Sequence, residues 1–187
     1  MTTGAFILGY EGHRQAVHAI AWSPDGKRIL SGGDDGMLLI WDAREGDTLV
    51  NTAGFAEIQT LAWSPDGAQI AAGGTDGLVQ VYDSTEDPLF TYTGHTGNIN
   101  ALAWQPGSLL LPGHAARIAS AGDDGTVQVW AFGQAANAKP SQPMTLQGEI
   151  LVYRGHTGTV TSLMWAPDGQ HIVSGSADGT VQLWRAM

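Results

Sequence analysis

The 187-residue sequence contains no cysteine, which removes disulfides, thiol catalysis and cysteine-bound zinc. It is also poor in positive charge, with 8 Lys and Arg against 18 Asp and Glu and a formal net charge of −10. Binding along a phosphate backbone needs cations to neutralise it, so nucleic acid is not an expected partner. No stretch approaches the roughly 20 apolar residues of a membrane span, and the opening MTTGAFILGYEGH has neither the basic flank nor the long apolar core of a secretory signal. The expectation is a cytoplasmic protein with no membrane partner. A helical pattern is missing too, because each window with apolar residues at helical spacing is interrupted by Gly or Pro.

What the chain does have is repetition. The stretch VYRGHTGTVTSLMWAPDGQHIVSGSADGTVQLW, from Val152 to Trp184, holds a Gly-His pair, an alternating apolar run, a Pro-Asp-Gly turn, a second run, an Asp-Gly turn and a third run. The same order recurs in YEGHRQAVHAIAWSPDGKRILSGGDDGMLLIWD from Tyr10 and in TAGFAEIQTLAWSPDGAQIAAGGTDGLVQVYD from Thr52. It recurs again in YTGHTGNINALAWQPG, which resumes as RIASAGDDGTVQVW. Most of the 13 Asp sit in these turns, so much of the negative charge is turn chemistry. Short β-branched and aromatic runs between Gly and Asp turns predict an all-β chain. In the first unit the expected strands are Val17 to Trp22, Arg28 to Gly32, Met37 to Trp41 and Thr48 to Thr52. A four-stranded meander cannot bury both faces alone, so each unit must stack on its neighbours.

The third-run aromatics fall at Trp41, Tyr82, Trp130 and Trp184, giving periods of 41, 48 and 54 residues. The excess over ~40–45 comes from two insertions in the third unit, SLLLPGHAA and GQAANAKPSQPMT, which read as loops without a core-forming pattern. On these ordered motifs the chain resembles the WD40 repeat family. The Trp-Asp pair itself survives only at Trp41-Asp42. The resemblance implies a β-propeller with the first strand of each blade lining a central channel and the fourth on the rim. One domain over residues 1–187 is expected, with blades at approximately 10–52, 53–92, 93–153 and 154–187.

The resemblance further implies a buried hydrogen-bonded chain in each blade. Its members here would be His13, Ser31, Asp35 and Trp41; His95, Ser120, Asp124 and Trp130; and His156, Ser174, Asp178 and Trp184. Trp can only donate and ionised Asp can only accept, while Ser and His do both and connect the ends. Blade two departs, with Phe55, Ala72, Asp76 and Tyr82 in the same places. Three copies of His, Ser and Asp in three blades describe a repeat rather than a hydrolase triad, and no G-x-S-x-G accompanies them. The Gly33 to Gly36 and Gly122 to Gly125 loops lack the alternating ligands of a calcium loop, His18, His114 and His171 share no metal-ligand spacing, and no phosphate loop occurs. No cofactor and no catalytic residue are expected. All seven Trp end first strands (Trp22, Trp63, Trp104, Trp165) or third strands (Trp41, Trp130, Trp184), leaving none for an aromatic cage.

Tyr10 precedes His13 as Tyr92 precedes His95 and Tyr153 precedes His156, so Ala5 to Leu8 read as the last strand of a unit whose first three strands are absent. The last unit ends after its third strand. The expectation is that two chains form one eight-bladed ring, with strand 5–10 of one completing the last blade of the other. The alternatives are half of a longer propeller, or an engineered one with no ligand of its own. The expected function is a non-catalytic scaffold binding a protein or peptide; an enzyme using the channel mouth has no nucleophile or metal set to support it. Candidate contacts are Arg14, His18, Asp34, Glu57, Gln59, Thr75, Asn98, Asn100, Asp123, Thr159 and Thr161. His18, Gln59, Asn100 and Thr161 share one repeat position and would form a polar ring near the channel, while Arg14, Glu57, Asn98 and Thr159 differ near its mouth.

Overall fold

The computed structural model describes residues 4–85, 87–107, 116–133, 144–146 and 150–186. It contains four antiparallel sheets. The first orders β1 (Val17–Trp22), β2 (Arg28–Gly33), β3 (Met37–Asp42) and β4 (Thr48–Ala53); the second, β5 (Ile58–Trp63), β6 (Gln69–Gly74), β7 (Val79–Asp83) and β8 (Pro88–Tyr92). The third holds β9 (Ile99–Trp104), β10 (Ala116–Gly122) and β11 (Val127–Gly133), with β12 (Thr145–Leu146) and β13 (Leu151–Tyr153) both on the outer side of β11. The fourth has three strands, β14 (Val160–Trp165), β15 (His171–Ser176) and β16 (Val181–Arg185).

The turns explain the sharp reversals. Ser23 Oγ donates to Asp25 Oδ1 at 2.6 Å and accepts the Arg28 amide at 2.9 Å, while Gly26 takes a φ of 68° that a side chain would resist. Ser64, Asp66 and Gly67 repeat this arrangement in the second sheet.

The core lies between sheets. Leu38 and Ile40 of the first pack with Ile58, Leu61, Trp63 and Ile70 of the second. Val79 and Val81 meet Ile99, Leu102, Trp104 and Ile118, and Val127 and Val129 meet Val160, Trp165 and Ile172. The innermost strands run in series, β1 against β5, β5 against β9 and β9 against β14. Beyond them the apolar faces are bare: Trp22 is 60% exposed where its equivalent Trp63 is 8%, and Leu183 is 72% exposed where its equivalent Val129 is 1%. The blades make an arc open between its first and last members.

Three expectations need correction. Residues 4–16 form no strand, because a strand requires a neighbour's N–H and C=O groups and none of the described residues offers them there. The fourth strand of the third sheet is split, β12 pairing with Phe132 and Gly133 and β13 with Val127 to Val129. Met144, expected in a coreless loop, packs on the core. The rest of both insertions (108–115 and 134–143, with His114) lies outside the described residues.

Candidate functional site

The network residues are brought together to different degrees. In blade three, Trp130 Nε1 donates to Ser120 Oγ at 3.1 Å, Ser120 Oγ lies 2.8 Å from His95 Nε2, and His95 Nδ1 lies 2.8 Å from Asp124 Oδ2. The carboxylate can only accept, so Nδ1 carries the proton and Nε2 receives the Ser120 hydroxyl. Asp124 also accepts the Thr126 hydroxyl at 2.7 Å and the amides of Thr126 and Thr96. Burial would raise its pKa, but these donors and the neighbouring His95 outweigh it and hold the carboxyl below the usual carboxylate range. His95 is pushed down, chiefly by burial.

Blade four repeats the chain through Trp184, Ser174, His156 and Asp178, the indole bond stretched to 3.4 Å. Asp178 is likewise held low, first by the Thr180 hydroxyl and then by the Thr157 amide. In blade one, His13 reaches Ser31 at 2.8 Å and Asp35 at 3.0 Å, but the buried Trp41 Nε1 has no hydrogen-bond partner among the described residues. The expected link from Trp41 to Ser31 is therefore absent. Blade two holds Phe55 against Tyr82, ring centroids 5.3 Å apart, and Asp76 accepts only the Leu78 amide among these bonds.

Sequence reasoning missed a second layer. Tyr92 Oη donates to Gln128 Oε1 at 2.5 Å, and Gln128 Nε2 donates to Thr126 Oγ1 at 3.0 Å. Tyr153, Gln182 and Thr180 do the same in blade four. The signal was present in the shared Thr-Val-Gln run of both third strands.

The partner-binding candidates cluster at one end of the blades. Four equivalent backbone bonds hold the second turn to the start of the inner strand: the amides of Asp34, Thr75, Asp123 and Ala177 donate to the carbonyls of Ala16, Glu57, Asn98 and Thr159 at 3.0, 3.1, 3.0 and 2.9 Å. His18, Gln59, Asn100 and Thr161 each occupy a β-bulge of the inner strand, where the extra residue breaks the alternation. His18 Nε2 lies 2.5 Å from Asp34 Oδ1, and Asn100 Nδ2 donates to Asp123 Oδ1 at 2.8 Å and to the Val160 carbonyl at 3.2 Å. Thr161 turns its hydroxyl to the Gly175 carbonyl at 3.3 Å. Arg14 stands apart from this set. Ala16, not Arg14, is the equivalent of Glu57, Asn98 and Thr159, and the Arg14 amide instead clasps Asp35 as those of Thr96 and Thr157 clasp Asp124 and Asp178. Among the described residues no three His, Asp or Glu side chains are grouped to hold a metal ion, and no helix is long and apolar enough to cross a membrane.

Antiparallel sheets of three to five strands stacked through their faces, with inner strands in series and a His–Ser pair recurring inside three of them, define a propeller-type repeat protein. The family description "WD domain, G-beta repeat" matches residues 4–42, 48–83, 86–131 and 147–185, and the chain belongs to the WD40 repeat family, whose members are generally non-catalytic. The small ribosomal subunit protein RACK1y of Oryza sativa subsp. japonica is 29% identical over 175 residues, 94% of this chain and 36% of its own length. Polyadenylation factor subunit 2 of Cryptococcus neoformans is 49% identical over 39 residues, 21% of this chain and 6% of its own length. The chain thus spans 6% to 36% of these curated relatives. Among solved structures, the RRP9 WD40 repeats superpose with a TM-score of 0.75 at 22% identity, covering 94% of this chain and 50% of that one. The computationally designed Ika4 protein superposes with a TM-score of 0.75 at 29% identity, covering 98% of this chain and 99% of that one.

Proposed function

We propose that the chain is a non-catalytic interaction scaffold: two copies close one eight-bladed ring, and the ring presents its bulge-bearing mouth to a protein or peptide. One observation carries the ring. Tyr10 stacks on Trp41 with centroids 5.0 Å apart and planes at 9°, as Tyr92 stacks on Trp130 (4.5 Å, 13°) and Tyr153 on Trp184 (4.5 Å, 5°). Tyr92 and Tyr153 end the fourth strand of a preceding blade. Tyr10 thus stands against its own blade as the last residue of such a strand does, and among the described residues no strand pairs with residues 5–10 or with the outer edge of β16. An unpaired edge beside bare apolar faces invites pairing with another chain.

The mouth supports the scaffold reading through variation. The bulge position carries His18, Gln59, Asn100 and Thr161, and the turn beside it carries Asp34, Thr75, Asp123 and Ala177, on one repeated backbone. A purely structural position has no reason to change so much.

Light scattering tests the ring: a species of twice 19.6 kDa is expected at micromolar concentration, and one of 19.6 kDa overturns it. Capture from the source cell then tests the mouth. A protein retained by the native chain and lost with Asn98→Ala/Asn100→Ala is expected, and equal retention by both forms counts against it.

A further inference from the structure

The internal joints between blades specify the joint between chains in atomic terms, and this inference rests on the ring reading above. Two devices recur at the internal joints, and the joint between blades two and three shows both; at the first joint Trp63 Nε1 has no hydrogen-bond partner among the described residues, and at the third Ala121 stands where the glycine would be. An apolar residue at the start of one inner strand packs onto a small residue of the preceding blade: Ile58 on Gly32, where a β-carbon would lie 2.8 Å from Ile58 Cγ2, and Ile99 on Gly73, where it would lie 2.6 Å from Ile99 Cγ2. The Trp ending the inner strand then donates its indole N–H to a main-chain carbonyl of the preceding blade, Trp104 to Ala62 at 3.2 Å and Trp165 to Ala103 at 3.1 Å.

The repeat register carries both devices to the ends of the arc. Val17 and Trp22 are the incoming residues with no blade before them. Gly175 and the Met164 carbonyl are the receiving groups with no blade after them. A cleft of about 150 Å³ stands open over Met164, Gly175 and Val181, and one of about 360 Å³ lies between Trp22, Ile29 and Trp41 of blade one and Ala5, Ile7 and Leu8 of the same chain's N-terminal segment. Strand register transfers in the same way, since Val79 pairs with Tyr92 and Val127 with Tyr153. Val181 is the equivalent of both.

We infer that a second copy of this chain is seated head to tail on these faces: Val17 of one copy lies over Gly175 of the other, Trp22 donates to the Met164 carbonyl, and the exchanged strand pairs Tyr10 with Val181 and Leu8 with Leu183. The same seam forms twice, related by a two-fold axis. Directly opposed residues of an antiparallel pair have β-carbons ~4.5–5.5 Å apart, close enough for a disulfide after a small adjustment.

The absence of native cysteine makes this testable without background. Leu8→Cys/Leu183→Cys, oxidised at micromolar concentration, is expected to run as a covalent dimer. Gly9→Cys/Leu183→Cys, one residue out of register and pointing to the opposite face, is expected to remain at least ten-fold less cross-linked. Equal cross-linking of both pairs, or none of the first, overturns the register. A second experiment uses the exposed seam residues Trp22 and Leu183, whose replacement leaves the blades' interior untouched. Trp22→Asp and Leu183→Asp are each expected to be monomeric at a concentration where the native chain is dimeric. Their equimolar mixture is expected to recover dimer, because one seam of the mixed ring is native on both sides. If either variant alone stays dimeric, the two copies do not meet head to tail. A native chain that is itself monomeric would instead sink the ring reading, so the two failures are distinguishable.

Discussion

Blades two and three share the pairing of their first three strands and differ in their interiors. Their strands pair in the same register, with the same bulge at the inner strand and the same glycine at the second turn. Blade three buries a chain of polar side chains running from Trp130 through Ser120 and His95 to Asp124, then through Thr126 and Gln128 to Tyr92. Blade two puts Phe55 and Ala72 where His95 and Ser120 stand, and its Tyr82 hydroxyl turns along its own strand to Gln80. The network is therefore not what shapes a blade. Strand alternation, turn chemistry and the apolar faces between sheets suffice for that, and each joint between blades is apolar on both sides. What the network adds is local: it fixes the loop before the inner strand to the second turn through one carboxylate, a connection blade two lacks.

The largest effect that separates the blades is loss of that carboxylate. Asp124→Ala leaves the His95 imidazole, the Thr126 hydroxyl and two amides without their acceptor, and should cost about 1–3 kcal/mol. Asp76→Ala removes an acceptor from the Leu78 amide of an exposed turn, and its shift in the urea midpoint should be less than half as large. Equal midpoint shifts would mean that the network contributes nothing specific to blade three.

The converse substitution is smaller and sharper. Ala72 is buried between Phe55 and the Ile58 joint, so Ala72→Ser places a hydroxyl where no imidazole meets it and should cost about 1 kcal/mol. Adding Phe55→His supplies the ring that lies 2.8 Å from the hydroxyl in blades one, three and four, with Asp76 already in place to accept from its other nitrogen. A double-mutant cycle should then show favourable coupling of about 1 kcal/mol. Strict additivity of the two changes would show that the network needs more of blade three than these residues.

The same comparison shows how much the sequence disclosed. The all-β architecture of four blades, their order and the grouping of His, Ser and Asp could all be read, because each is a local pattern repeated at a fixed spacing. The departure of blade two could be read for the same reason. Three things were not read. The missing partner of Trp41 depends on side-chain placement that a repeated sequence pattern does not encode. The Tyr–Gln–Thr layer joins the end of one repeat to the third strand of the next, across a chain separation of 36 residues for Tyr92 and Gln128. Residues 5–10 carry a strand's composition, but a strand is a property of two neighbours, and among the described residues no second strand pairs with them.

The smallest expected effect is in pH dependence. Burial lowers the pKa of His95 below its unfolded value of 6.5, so the folded blade holds it neutral while the unfolded chain takes up a proton as the pH falls. Its contribution to stability is thus full above about pH 6.5 and is lost as the pH falls toward the folded value. Asp124 acts in the same direction at lower pH, its depressed pKa stabilising the fold above 3.8 and ceasing to do so below. Blade two has no histidine and cannot contribute to the first of these losses. Between pH 7.5 and 5.5 the native chain should lose midpoint temperature more steeply than His95→Gln, even though the variant starts lower. The slopes, not the levels, carry the argument, because the level also records the broken bonds to Ser120 and Asp124. Parallel slopes would mean that His95 binds its proton as readily folded as unfolded, and a shallower slope in the native chain would mean that the Asp124 charge outweighs burial and keeps the imidazole protonated in the folded blade, with Nε2 donating to Ser120 instead of accepting from it.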